Sequence, residues 1–361
     1  MPRSREIGIR IGVLPTGPTN SVLDVAGVGL GHATLVRDEP APPDGRGTAR
    51  TGVTTLLLAE DAYTRPLAAG GAVLNGAGEC TGFLSAREWG SIETPVYLTS
   101  TMQLGRVYDV ACQIALEQDP AVAGEVVIPV VGECDDSFLN DCRAMQVDAS
   151  DVRASYQFAL DSRGSSTPPP EGSVGAGTGM SCLGFKGGIG TASRVTPDGH
   201  TVAVLLLTNF GERKRLTVAG TPLGALLPPA DEGPARPAGS CIGIVVTDAA
   251  VVRRRPGAGE AEPDPSSEPR AVAGDHGSGE IFLGASTTCR ADRDGTPEPG
   301  ARVAGRSLDD LFEAVVDAAE ESVLNSLLAS PTTIGRDANT TEGLDPDVVA
   351  RLTGRARRAG S

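Results

Sequence analysis

A serine stands where a polar linker meets an apolar strand. In the segment GSCIGIVVTDA (239–249), Gly239 ends a stretch rich in Pro, Gly and charge, PPADEGPARPAG (228–239), and Ser240 begins an apolar run. A strand would hold that hydroxyl rigidly, while the loop before it can be strained, cut and moved away. If the Gly239–Ser240 bond breaks, Ser240 gains an α-amine whose pKa in model compounds is near ~8. That amine can take the proton from its own hydroxyl, directly or through water, so the nucleophile carries its own general base and needs no histidine. The chain has three histidines, His32, His200 and His276, and none belongs to a catalytic motif. Gly before the serine also leaves the carbonyl open to attack during self-cleavage, because it has no Cβ. Taken alone, Gly-Ser after a Pro-rich loop also reads as an ordinary turn.

Such a serine must be positioned by a packed sheet. Short apolar runs at Val126–Val131, Val202–Leu207, Ile242–Val246 and Ile281–Leu283 read as strands. They are nearly continuous rather than alternating, as expected when both faces are covered. Residues 307–329 carry apolar groups at 308, 311, 312, 315, 316, 319, 323, 324, 327 and 328, a helical period. Ser307 with Asp310 forms a plausible N-terminal cap. A second helix is predicted over Arg106–Leu116. Buried strands with amphipathic helices imply an α/β fold of one domain, residues 1–361, with helices outside the sheets. Loops are predicted at 228–239 and 253–277, both exposed and mobile, the latter with a flexible Pro- and Glu-rich stretch at 253–275, and a third, shorter loop at 163–172.

Composition narrows the function. Apolar residues make up 40% of the 361-residue chain and aromatics only 3%, so the core rests on Val, Leu, Ile and Ala. A net charge of −15 argues against nucleic-acid binding, which needs clustered Lys and Arg. The basic run Arg253–Arg255 reads as a solvated loop. No segment reaches the ~18 consecutive apolar residues of a membrane span, and the N-terminal stretch lacks the apolar core of a signal peptide. The expected compartment is the cytoplasm. The seven cysteines, at 80, 112, 134, 142, 182, 241 and 289, show no CxxC spacing, and no HExxH occurs. No metal and no cofactor are therefore expected. The Gly-rich runs GAGTGM and GGIGTAS do not fit a phosphate-cradling GxxxxGK[ST] loop, and are expected to shape the cleft and processing site by close backbone packing.

Many segments together resemble the L-aminopeptidase/D-esterase family, which includes the β-peptidyl aminopeptidases. They are LPTGPTNSVLDVAGVGLGH (14–32), NGAGECTGFLSAREWGSIETPVYLTSTMQLG (75–105), VGECDDSFLND (131–141), GAGTGMSCLGFKGGIGTASR (175–194), LLLTNFGE (205–212), GSCIGIVVTDA (239–249) and GSGEIFLGAST (277–287). The resemblance implies a four-layer αββα sandwich, similar to N-terminal-nucleophile hydrolases but with different strand connectivity. It implies a chain made inactive and cut before the serine into 1–239 (α) and 240–361 (β). The fragments would stay associated and assemble further, often as tetramers. The implied substrate is a short peptide, amide or ester with a free amine, cleaved through an acyl-enzyme on Ser240.

The resemblance also assigns roles. Ser278 and Glu280 map to the supporting hydroxyl and carboxylate. They lie two apart at the start of a strand and so share a face, where they could order the Ser240 ammonium, although an ordinary polar strand start fits as well. Asn209, at the end of an apolar run, maps to the oxyanion donor, and a turn-forming Asn is the alternative. The family commonly has Tyr where this chain has Phe138, while Asn140 is retained. No lysine occupies the strand after Ser240, so a lysine-assisted mechanism is not supported. Hydrolysis of ω-amino acid (nylon-type) oligomers, acyl transfer as in the ornithine acetyltransferases, and a non-processed binding paralogue are the rival readings.

Overall fold

The computed structural model describes residues 1–228, 239–251, 278–293 and 303–359. In chain order the strands are β1 (Gly29–Asp38), β2 (Thr48–Leu57), β3 (Leu67–Gly76), β4 (Ser91–Ile92), β5 (Val96–Ser100), β6 (Val130–Cys134), β7 (Ser181–Cys182), β8 (Phe185–Lys186), β9 (Gly188–Val195), β10 (Thr201–Asn209), β11 (Ser240–Thr247), β12 (Gly279–Arg290), β13 (Thr333–Ile334) and β14 (Thr340–Thr341). The helices are α1 (Leu104–Gln118), α2 (Val122–Glu125), α3 (Ala149–Ser162), α4 (Leu223–Leu226), α5 (Ser307–Leu328) and α6 (Pro346–Ala359).

Two sheets carry the fold. One has the order β1-β2-β5-β6, the other β4-β3-β12-β11-β10-β9. Small side chains and β-branched or Leu residues fill most of the space between them, joined by Met180 and Phe83. Leu30, Leu56, Leu98 and Val130 of the first sheet meet Leu205, Leu207, Ile242, Ile244, Ile281 and Leu283 of the second. Alternation sends the intervening residues outward. Val53, Leu57, Tyr97 and Val131 pack under α1 and α3, and Ala192, Val204, Leu206 and Cys241 pack under α5 and α6. The layers are therefore helix, sheet, sheet, helix, the expected four-layer sandwich. Covering both faces of both sheets explains the near-continuous apolar runs read from the sequence.

Local details depart from expectation in three places. The strand expected at Val126–Val131 is β6, Val130–Cys134. Val126 has φ 62, and Pro129 lacks the N–H that a ladder needs, so pairing starts only after it. Helix α5 begins at Ser307, but Ser307 lies inside the first turn, Arg306 precedes it, and no side chain caps the end. The helix expected at 106–116 extends two residues further at each end. Residues 163–172 form the expected loop between α3 and the buried turn at Gly175–Gly179. The loop expected at 228–239 and the flexible stretch at 253–275 lie, apart from Pro228 and Gly239, outside the described residues.

A buried charge cluster ties α5 to the rest of the chain. The Glu321 carboxylate accepts from Ser4 Oγ (3.0 Å), Arg5 Nε (2.9 Å), Asn20 Nδ2 (2.8 Å) and Arg194 (2.6 Å). Arg194 and Glu321 are both fully buried. Burial alone would push the Glu321 carboxyl upward, but Arg5 and Arg194 overcome it and hold the group below its ordinary value.

Candidate active site

Five strand ends meet at one end of the sandwich. β10 finishes where β11 starts, so Asn209 stands opposite Ser240. The parallel neighbour β12 starts beside them and pairs Gly279 with Ser240. Across the interior, β5 ends at Ser100 and β6 at Cys134. A cavity of about 650 Å³ opens here, lined by Ser240, Ser100, Thr101, Glu133, Asp135, Ser137, Arg143 and Arg336 among others. Among the described residues no histidine lines it. His32 sits instead on β1, 2.9 Å from Thr54 Oγ1, and burial lowers its pKa to about 4, so it stays neutral.

Ser240 is 6% exposed, and its Oγ makes no hydrogen bond among the described residues. The buried Cys134 thiol lies beside it, its pKa pushed up by burial with Ser240 opposing the shift. A hydroxyl held by a strand, facing a cavity and uncommitted, is free to attack a carbonyl. In the continuous chain its nitrogen is an amide and supplies no base. Gly239 permits the close approach of the chain before it. A Cβ there would lie 1.8 Å from the Asn209 carbonyl oxygen, so no other residue fits without moving the end of β10.

The remaining sequence-derived residues are all close in the fold, though not all reach the nucleophile. Ser278 Oγ donates to Glu280 Oε1, and both are buried. Register pairs Glu280 with Cys241. Alternation thus sets Glu280 on the outer face with Cys241, and Ser240 on the inner face with Asn209. The carboxylate therefore stands on the strand next to the Ser240 backbone rather than beside its hydroxyl. The Asn209 amide is partly committed: Nδ2 donates to the Asp135 carbonyl and Oδ1 accepts from Ser181 N, each at 2.8 Å. One Nδ2 hydrogen is left over. Asn140 does not touch Ser240. It accepts from Arg50 N and donates to Asp136 Oδ1, both at 3.1 Å. Phe138 is half-buried in the turn after β6, where its carbonyl accepts from Asn339 Nδ2. Its neighbour Ser137, not Phe138, lines the cavity.

Glu133, Asp136 and Arg336 were missed by sequence reasoning. Glu133 lines the cavity and is nearly buried; Oε1 accepts from Glu79 N at 2.8 Å and Oε2 from Thr101 Oγ1. Burial raises its pKa, against those hydrogen bonds. Asp136 lies fully buried behind the cavity wall, accepting from Ser100 Oγ at 2.8 Å, and burial raises its pKa to about 6. The four acidic residues of VGECDDSFLND were visible in the sequence, but nothing local says which of its carboxylates turns inward. Lys186, also buried, donates to the Gly177 and Gly187 carbonyls at 3.0 and 2.8 Å. It thereby fixes the two Gly-rich turns. Among the described residues no group of three His, Cys, Asp or Glu side chains is placed to hold a metal ion, and no helix is long and apolar enough to cross a membrane.

This architecture has relatives. The chain is 34% identical over 372 residues to the β-peptidyl aminopeptidase BapA of Sphingosinicella microcystinivorans, covering 95% of this chain and 89% of that one. Its fold matches a β-aminopeptidase from a Burkholderia species at TM-score 0.81 and 35% identity, covering 100% and 99% of the two chains. It also matches the L-aminopeptidase D-Ala-esterase/amidase of Ochrobactrum anthropi, described as a prototype of the serine aminopeptidases and a variant of the Ntn-hydrolase fold, at TM-score 0.82 and 30% identity over 99% of each chain. The model of peptidase family S58 matches residues 20–341, and the chain belongs to that family.

Proposed function

We propose that this aminopeptidase matures by cutting its own Gly239–Ser240 bond and then releases N-terminal residues from short peptides or amides through an acyl-enzyme on Ser240. The observation that carries this reading is the Ser240 hydroxyl without a hydrogen bond at a strand start, preceded by a glycine whose missing Cβ lets the chain pass against the Asn209 carbonyl. In the first step Ser240 Oγ attacks the Gly239 carbonyl carbon, and the peptide nitrogen leaves as an amine. Water then hydrolyses the resulting ester, giving a carboxylate at Gly239 and a free α-amine at Ser240. With a pKa of roughly 8, that amine accepts the hydroxyl proton when Ser240 attacks a substrate carbonyl, and returns it to the leaving amine.

Glu280 and Ser278, on the adjacent strand, order the ammonium form of that amine. The remaining Asn209 hydrogen is placed to stabilise the oxyanion, a contribution worth about 3 kcal/mol where such donors are well aligned. Glu133 and Asp135 give the cavity acidic groups suited to a substrate ammonium. β-Amino substrates are favoured by the likeness to the β-peptidyl aminopeptidases.

The fragments 1–239 and 240–361 stay associated, because β11 and β12 are inner strands of a six-stranded sheet whose other strands come from the first fragment. We further infer an oligomer of such αβ units. On α5, Phe312 and Val316 lie one turn apart and are 63% and 65% exposed, an apolar pair suited to burial in assembly. Seven free thiols support a reducing, cytoplasmic setting.

The test is a denaturing gel with N-terminal sequencing of the purified protein, alongside hydrolysis of an aminoacyl p-nitroanilide. Two fragments are expected, the smaller beginning Ser-Cys-Ile. A protein that hydrolyses amides while remaining one chain would sink the mechanism. Gly239→Ala should slow maturation on the order of tenfold or more, because the displaced carbonyl leaves the line of attack. A time course of fragment formation reads this directly. Maturation at the parental rate would mean that the end of β10 yields freely.

A further inference from the structure

Arg336 enters the Ser240 cavity from a segment built to an unusual shape. Asp337 and Ala338, with φ 54 and 59, are both left-handed without being glycine, a conformation that persists only when the surroundings impose it. The surroundings here are the turn after β6. Arg336 N donates to the Leu139 carbonyl and Asn339 Nδ2 to the Phe138 carbonyl, each at 2.9 Å. A Cβ at Gly335 would lie 2.3 Å from the Leu139 oxygen. The segment is thus fixed tightly enough to deliver one side chain to the cavity wall.

That side chain is ion-paired but not hydrogen-bonded. Among the described residues its guanidinium donates no hydrogen bond, and its Nε is buried without an acceptor. Two carboxylates share its charge without a hydrogen bond: Asp337, 3.7 Å away and 75% exposed, and Asp141, which Arg143 and, to a lesser degree, Arg336 hold below the ordinary carboxylate range. The other cation among the described lining residues, Arg143, is already paired with Asp141, with Nε to Oδ1 at 2.9 Å and a second bond to Oδ2. The cavity lining also holds two chemically distinct groups. Glu133 stands with Gly78 and Thr101, and Arg336 stands over the 138–139 turn. A guanidinium fork presents paired donors that match a carboxylate, and a buried donor without an acceptor is disfavoured until a ligand supplies one.

We propose that Arg336 binds a free carboxylate on the leaving-group side of the scissile bond, so that the enzyme selects dipeptides, with α- or β-amino residues, over their amidated forms. This rests on the aminopeptidase reading above: the substrate ammonium faces Glu133, the scissile carbonyl faces Ser240, and the carboxylate of the second residue reaches Arg336. About 650 Å³ is ample for a ligand of that size.

The experiment compares kcat/KM of the matured enzyme on a β-alanyl or alanyl dipeptide and on the same dipeptide amidated at its C-terminus, with an aminoacyl p-nitroanilide as a third substrate. The wild type should favour the free acid by about tenfold to a hundredfold, mostly through KM. Arg336→Gln should bring that ratio to about one, and Arg336→Lys, which keeps charge but not the fork, should retain part of it. Equal rates on acid and amide in the wild type, or a ratio that survives Arg336→Gln, would overturn the proposal. If Arg336→Gln fails to mature, the wild-type ratio alone decides. Hydrolysis of the p-nitroanilide with no preference for the acid would sink only this inference. No hydrolysis of any of the three would sink the aminopeptidase reading with it.

Discussion

Ser240→Ala should yield a single 361-residue chain with hydrolysis reduced by on the order of 10⁴-fold or more. The size of the effect follows from the double use of one atom. Oγ is the attacking group in maturation and again in turnover, so its loss removes both the free α-amine and the nucleophile. The fold should be nearly untouched, because Oγ makes no hydrogen bond among the described residues and an Ala side chain fits inside the space of Ser. A change in stability within about 1 kcal/mol is expected. Gel analysis, p-nitroanilide hydrolysis and a denaturant titration separate these outcomes. An Ala variant that matures or hydrolyses at an appreciable rate would place the nucleophile elsewhere; an unfolded one would make Ser240 structural.

Glu321→Ala should destabilise the protein by about 3–5 kcal/mol, the cost of stripping one partner from a buried ion pair. Arg194 would be left fully buried, with only the carbonyls of Ser193, Ile11 and Asp317 as acceptors, while Arg5 would lose two bonds and Asn20 and Ser4 one each. In a chain of this size the melting temperature should fall by roughly 4–7 °C. Because neighbouring arginines hold the folded-state pKa of Glu321 below its unfolded value, this stabilisation is present above the unfolded pKa. It is lost as pH falls through the folded one. In the matured protein the cluster would also join the two fragments, since Glu321 belongs to 240–361 and its four partners to 1–239. Loss of the second fragment at moderate denaturant should accompany the lower stability. The paired variant Arg194→Met with Glu321→Leu should recover part of the loss, because it removes both buried charges. A Glu321→Ala protein as stable as the parent would mean that solvent reaches the cluster.

Features set by near neighbours in the chain were open to sequence reasoning. The apolar runs of β10, β11 and β12 were legible because strands covered on both faces leave no polar lane. The period of α5 was legible because 3.6 residues per turn is a local property. The junction at Gly239–Ser240 stood out for the same reason, as did the spacing of Ser278 and Glu280. Val126 and Pro129 showed the limit, since apolar composition suggested a strand that backbone conformation excludes.

What the sequence could not specify is which distant segments meet. Glu321 and its partners are up to 317 positions apart, and no local pattern marks them as one cluster. Glu133 and Arg336 face one cavity only because β6 ends beside β11 and the strained 335–339 segment docks on the 138–139 turn. The faces of β11 and β12 were likewise undetermined: Glu280 falls in register with Cys241, which sets its carboxylate beside the Ser240 backbone rather than the hydroxyl. Sheet order, register and the packing of one layer on another depend on pairings between remote residues. Their free energy comes from the assembled core, so only the tertiary structure decides them.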